Sequence, residues 1–93
     1  MEQKQKVEIL KALADDARLS IVRKLAANSE PVTSCNVVLS CELLGNLSQP
    51  AASHHFNKLV KAGVVRERKQ GTQKVYSLAT DVLDSIGVDA SKL

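Results

Sequence analysis

The stretch from Ser48 to Gly63 constrains this chain more than any other, because it holds a start signal, a stop signal and a two-sided pattern between them. The Ser48 hydroxyl can cap a helix, Pro50 is tolerated in a first turn, and Gly63 is the residue type that ends helices in left-handed backbone. The spacing predicts a helix that runs to Ala62. At about 100° per residue, Ala52, Phe56, Leu59 and Val60 fall on one side. Pro50, His54, Asn57, Lys58 and Lys61 fall on the other, with Gln49 and Ser53 at the flank. One stripe suits a core; the other is polar, basic and rich in hydrogen-bonding groups.

After Gly63 the periodicity changes. Val64 to Arg68 and Lys74 to Leu78 read as two strands joined by Lys69-Gln70-Gly71-Thr72-Gln73, a hairpin with a basic tip where glycine permits a tight turn. Upstream, Val7, Leu10, Leu13 and Ala14 recur at helical spacing, so a first helix is predicted from about Gln5 to Leu13. Asp15-Asp16 offers an N-cap to a second helix reaching about Ala26, with Leu19, Ile21, Val22 and Leu25 inward. Pro31 cannot continue it. Residues 32–36 read as a loop or short extended piece, and Val37 to Leu44 as a short third helix stopped by Gly45-Asn46. Only the turn from Gly45 to Leu47 then separates that helix from the one opening at Ser48, which is the helix-turn-helix pattern. Residues 81–86 are expected to form a last short helix and the remainder to fray. The chain contains no internal repeat, linker or low-complexity tract. The expected fold is mainly α with a β-hairpin wing (α+β), a single winged helix-turn-helix domain over 1–93. Its core covers about 5–80, and 81–93 form a short C-terminal helix or tail.

Composition narrows the function. A chain of 93 residues has room for one compact domain. Phe56 and Tyr76 are its only aromatics, too few for a base-stacking platform on single strands. No apolar run approaches the ~20 residues of a membrane span, and the polar Met1-Glu2-Gln3-Lys4-Gln5-Lys6 start lacks a signal-peptide core. A cytoplasmic protein is expected. The two cysteines, Cys35 and Cys41, make no disulfide framework. Charge is unevenly spread: residues 1–47 sum to zero, whereas 48–76 carry Lys58, Lys61, Arg66, Arg68, Lys69 and Lys74 against Glu67 alone, a net of +5.

That basic segment coincides with the two-sided helix and the hairpin. Phosphate contacts give non-specific affinity and base-edge contacts give sequence reading. Gln49, Ser53, His54 and Asn57 suit base edges, Lys58 and Lys61 suit phosphates, and Ser48 and Pro50 open the same helix. In the wing, Arg66, Arg68, Lys69, Gln70, Gly71, Thr72 and Lys74 are positioned to meet the backbone or the adjacent minor groove. The expected partner is therefore double-stranded DNA. A winged-helix module that binds a protein through the same surface, without a specific DNA target, is the alternative. No nucleophile–base set, paired carboxylates or phosphate-cradling glycine motif suggests an enzyme, and no cofactor is expected.

Leu13 to Val22 (LADDARLSIV) is similar to the "LADPTRLRIL" stretch of ArsR/SmtB-type winged-helix regulators. Leu47 to Phe56, followed by Leu59 and Ala62-Gly63-Val64-Val65, resembles that family's "LSQPxxSHHLxxLxxAGLV", and Gly71 to Leu78 resembles its wing. The likeness spans about residues 7 to 80. It implies a homodimer joined through the first and last helices, and a repressor that leaves its operator when an effector binds. Metal-sensing relatives carry Cys-x-Cys in the third helix, where this chain has only Cys41, or His and carboxylates on a long last helix, which here is short and without His. Cys35, Cys41, His54 and His55 match no standard zinc spacing, so no metal site is expected. His55 is expected beside the core stripe with a hydrogen-bond partner, and Cys35 and Cys41 stand as the candidate redox thiols. The effector is not legible.

Overall fold

The computed structural model describes residues 2–40 and 45–93. The elements run α1 (Gln3–Leu13), α2 (Asp16–Ala26), β1 (Val32–Thr33), α3 (Ser34–Ser40), α4 (Gln49–Ala62), β2 (Val65–Gln70), β3 (Gln73–Leu78) and α5 (Thr80–Ser85), then a 3₁₀ turn at Ala90–Lys92. The three strands form one antiparallel sheet in the order β1-β3-β2. The helices pack against its base, so the architecture is a winged helix-turn-helix.

Local chemistry accounts for the boundaries. The Asp15 carboxylate accepts the Arg18 N–H at 3.0 Å and caps α2. At the end of α4, Gly63 adopts φ +85°. Its N–H bonds to Val60 O at 3.0 Å and the Val64 N–H bonds to Leu59 O at 3.1 Å. This is a Schellman closure that leaves Leu59 and Val64 fully buried against each other's turn. The hairpin tip is tighter than the sequence suggests. Gln70 pairs with Gln73, so only Gly71 and Thr72 form the loop, with Gly71 at φ +64°. Positive φ at the first loop residue alone is the type II′ arrangement, whose twist matches that of the strands. Lys69, Gln70 and Gln73, expected in the connection, are strand residues.

The core gathers Ile9 and Leu13 from α1, Ile21, Val22 and Leu25 from α2, Val37 from α3, Phe56 and Leu59 from α4, and Val65, Tyr76 and Leu83. Phe56 and Tyr76 meet with ring centroids 4.5 Å apart, which ties α4 to the wing. Burying a side chain of this size contributes roughly 1.5–3 kcal/mol.

Four expectations change. In α1 the buried series is Ile9, Ala12 and Leu13, whereas Val7 and Leu10 are 38% and 52% exposed. In α2, Ala17 is buried and Leu19 only half-buried. The third helix starts at Ser34, because Val32 and Thr33 pair with Tyr76 and Val75 as a strand; Cys41 and the end expected at Leu44 lie outside the described residues. Finally, the C-terminal tail does not fray. Val88, Ala90 and Leu93 pack on the core and the Asp89 carboxylate caps the 3₁₀ turn, since these apolar side chains cover surface that α2 would otherwise expose.

Candidate nucleic-acid interface

The candidate surface starts from α4. Ser48 caps it through Oγ, which accepts the Ala51 N–H at 3.2 Å, and Pro50 sits in the first turn. Ala52, Phe56 and Leu59 anchor its inner face. The opposite face carries Gln49, Pro50, Ser53, His54, Asn57, Lys58 and Lys61, every one of them exposed. A rigid, capped helix thus presents the residues read from the sequence as one continuous stripe.

The wing divides its basic residues by strand position. Arg66 lies at the base, opposite Ser77, with Nη2 2.8 Å from both carboxylate oxygens of Asp81. That contact holds the Asp81 carboxyl below its ordinary range, chiefly through the hydrogen bond from Arg66. Arg66 therefore braces the hairpin against α5 rather than standing at the tip. Lys74 reaches Glu67 at 3.5 Å. Lys69 pairs across the ladder with Lys74, a like-charge pair that the Glu67 carboxylate on Lys74 offsets. Glu67 also faces Tyr76. Burial, then the Glu67 charge, raises the Tyr76 phenol above its usual range.

A second set of polar contacts fixes how α4 sits. Arg18 Nε donates to Ala12 O at 2.7 Å, Nη2 to Lys11 O at 3.5 Å, and Nη1 to His55 Nδ1 at 3.3 Å. Arginine only donates, so His55 Nδ1 is an acceptor and the imidazole proton resides on Nε2. Asp15 Oδ2 lies 3.8 Å from the same Nδ1, too far for a hydrogen bond. Its carboxylate is instead held below the ordinary range mainly by the hydrogen bond from the Arg18 N–H, with partial burial opposing the shift and the Arg18 charge adding to it. His55 accordingly has the partner expected for it. The Arg18 guanidinium joins the end of α1 to the recognition helix, while the backbone N–H of the same residue serves the cap of α2.

Two clefts flank the exposed stripe. On the wing side, Thr33, Ser34, Ser53, Asn57, Lys74 and Tyr76 line a space of about 480 Å³. On the α1 side, a cleft of about 440 Å³ lies between Lys11 and the row His54, Asn57, Lys58 and Lys61. Asn57 lines both and stands on the ridge between them. Sequence reading missed Thr33 and Ser34, which belong to a segment without a pattern of its own, and Lys11, whose place beside α4 is set by tertiary packing. Cys35 is exposed and lines the wing-side cleft next to Ser53; Cys41 lies outside the described residues. Among the described residues no three His, Cys, Asp or Glu side chains gather as a metal set, and no helix is long and apolar enough to cross a membrane.

Residues 13–68 match a family described as a helix-turn-helix domain. The chain is 38% identical over 89 residues to an HTH-type transcriptional regulator of Methanocaldococcus jannaschii, covering 92% of each. It is also 38% identical over 88 residues to the arsenical resistance operon repressor of Staphylococcus xylosus, covering 92% of this chain and 77% of that one. Among solved structures, the homodimeric winged helix-turn-helix DNA-binding domain of a possible ArsR-family regulator from Mycobacterium bovis superposes with a TM-score of 0.73. That match has 25% identity and covers 89% of this chain and 71% of the other.

Proposed function

The chain belongs to the helix-turn-helix family of ArsR-type transcriptional regulators, and from that premise we propose that it is a dimeric, sequence-specific repressor of transcription, working on the chromosome in the cytoplasm and released from double-stranded DNA by an effector. The observation that carries this reading is the exposed stripe of α4. It presents Gln49, Ser53, His54 and Asn57 beside Lys58 and Lys61 on a helix whose other face is locked in the core. The four polar residues read base edges in the major groove, while the lysines and the wing residues Arg68, Lys69, Gln70, Gly71, Thr72 and Lys74 meet the phosphate backbone. Arg66 braces the wing. The role is one of binding, not catalysis.

Val7 and Leu10, the large apolar side chains of α1 left in solvent, support pairing of two copies through that helix. Two recognition helices would then read half-sites about 34–36 Å apart. Cys35, in the cleft beside Ser53, is the thiol through which an oxidant would reach the reading helix.

Selection from a random-sequence duplex pool at moderate salt, with protein of known oligomeric state and with or without reductant and zinc, tests this reading. The expected result is a two-fold symmetric site whose affinity falls steeply with salt. Enrichment of no sequence, with a protein partner retained instead, would favour the interaction-module alternative.

A further inference from the structure

The wing borders one side of the reading face; on the other lies the cleft that Lys58 and Lys61 share with α1, and its α1 residues have no role in that account. Between α1 and α4, Lys11, Arg18, Lys58 and Lys61 line it together with a single carboxylate, Glu8. Arg18 is committed to the carbonyls of Lys11 and Ala12 and to His55. The other three cations are not. Lys11, Lys58 and Lys61 are exposed, and among the described residues the ion pairs are those of His55, Arg66 and Lys74. Glu8 thus lines the cleft without closing onto any of these ammonium groups. Three unneutralised like charges along a concave wall repel one another and focus a positive potential into the space between them. An oxyanion relieves that repulsion.

Position identifies the anion. A helix seated in the major groove, about 12 Å wide, has a phosphate backbone on each side. Asn57 stands on the ridge between the two clefts, so when the ridge enters the groove one cleft faces each backbone. We propose that the α1-side cleft is a phosphodiester site, in which Lys11 of α1 joins Lys58 and Lys61 of α4 to hold the strand opposite the wing. The site rests on the DNA-binding reading and adds to it a residue from the first helix. Lys11 lies in the part of the chain whose charges sum to zero, which is why charge patterning does not point to it.

Duplex affinity measured by fluorescence anisotropy over a salt series tests the site, with the sequence recovered by selection as probe and circular dichroism to confirm folding. Lys11→Gln should lower the slope of log K against log salt by about 0.9, the value of one phosphate contact. Lys92→Gln, in the C-terminal 3₁₀ turn, should leave it unchanged, and Arg68→Gln in the wing should lower it. If Arg68→Gln lowers the slope while Lys11→Gln matches wild type, the cleft proposal fails and DNA binding stands. If the wild-type protein shows no salt-dependent duplex binding, both fall together. Inorganic pyrophosphate, titrated into the free protein at matched ionic strength, separates the two sources of phosphate. Saturable binding that Lys11→Gln abolishes, with an unchanged duplex slope, would assign the cleft to a free anion and overturn the proposal.

Discussion

Replacing Arg18 with alanine should loosen the seat of the recognition helix without touching any residue on its reading face. The guanidinium makes one short bond, to Ala12 O at 2.7 Å, one longer bond to His55 Nδ1 at 3.3 Å, and one at the limit of useful geometry, to Lys11 O at 3.5 Å. A hydrogen bond from a charged group contributes about 1.5–3 kcal/mol when well made, and far less at long distance or in solvent. Since Arg18 is partly exposed, the sum is closer to ~2 kcal/mol than to three full bonds. In a domain of this size that lowers the melting temperature by roughly 8–16 °C. Urea and thermal unfolding at one fixed protomer concentration measure it, because association adds to apparent stability. Arg18→Lys should recover only a minor part, since one ammonium cannot reach the α1 carbonyl and the imidazole together. A double-mutant cycle with His55→Ala should return a coupling of about 0.5–1 kcal/mol. A loss below ~0.5 kcal/mol for Arg18→Ala, or strict additivity with His55→Ala, would refute the assignment of Arg18 as the link between α1 and α4.

Three further outcomes follow from other parts of the structure. Asp15→Ala removes the cap of α2 and should cost about 1 kcal/mol near neutral pH. Because the folded Asp15 carboxyl titrates below its model value of 3.8, its contribution is present above that value and disappears as pH falls through the lower folded one. Urea midpoints of variant and wild type should therefore converge in strong acid; a gap independent of pH would mean that the charge is irrelevant. Gly71→Val places a β-branched residue at φ +64° in open space, so only backbone strain of ~1–2 kcal/mol is incurred, and faster amide exchange should be confined to β2 and β3. Leu10→Glu alters a side chain that is 52% exposed and should leave the protomer folded while sedimentation shows loss of the dimer; an intact dimer would remove α1 from the interface.

The parts of the fold that sequence makes visible are those where several short-range signals coincide. Ser48, Pro50 and Gly63 bracket α4 because capping, proline tolerance and left-handed closure depend only on neighbours within a turn. The outward stripe of Gln49, Ser53, His54, Asn57, Lys58 and Lys61 follows from helical periodicity once those ends are known, and each is exposed as expected. Non-local pairings are less visible. Thr33 and Val32 become a strand only because β3 offers its edge at Val75 and Tyr76, and nothing local distinguishes that two-residue piece from loop. Arg66 belongs to the basic run of the wing, yet Asp81, fifteen residues later, decides what it does. Lys11 and Arg18 acquire their roles from α4, which lies more than 30 residues downstream.

The first helix shows how such an ambiguity can itself carry information. Its apolar residues form two series, Ile9 with Ala12 and Leu13, and Val7 with Leu10, each at helical spacing. Periodicity alone cannot say which series faces the protomer's own core, and choosing Val7 and Leu10 gives the wrong face. A helix on the surface of a monomer needs only one apolar stripe, with the remainder polar. Here the second stripe stays partly in water after the fold is complete, with Val7 38% and Leu10 52% exposed, so that each side chain forgoes roughly 0.6–1.6 kcal/mol of burial. Two stripes on eleven residues therefore argue that α1 is buried twice, once by α2 and α4 and once by a second copy of the chain. The polar flank between the stripes, which carries Lys11, would then remain open toward the recognition helix. In that arrangement a single short helix joins the core, the dimer and the phosphate-facing cleft, so a change in how two protomers pack would be felt directly at the edge of the reading face.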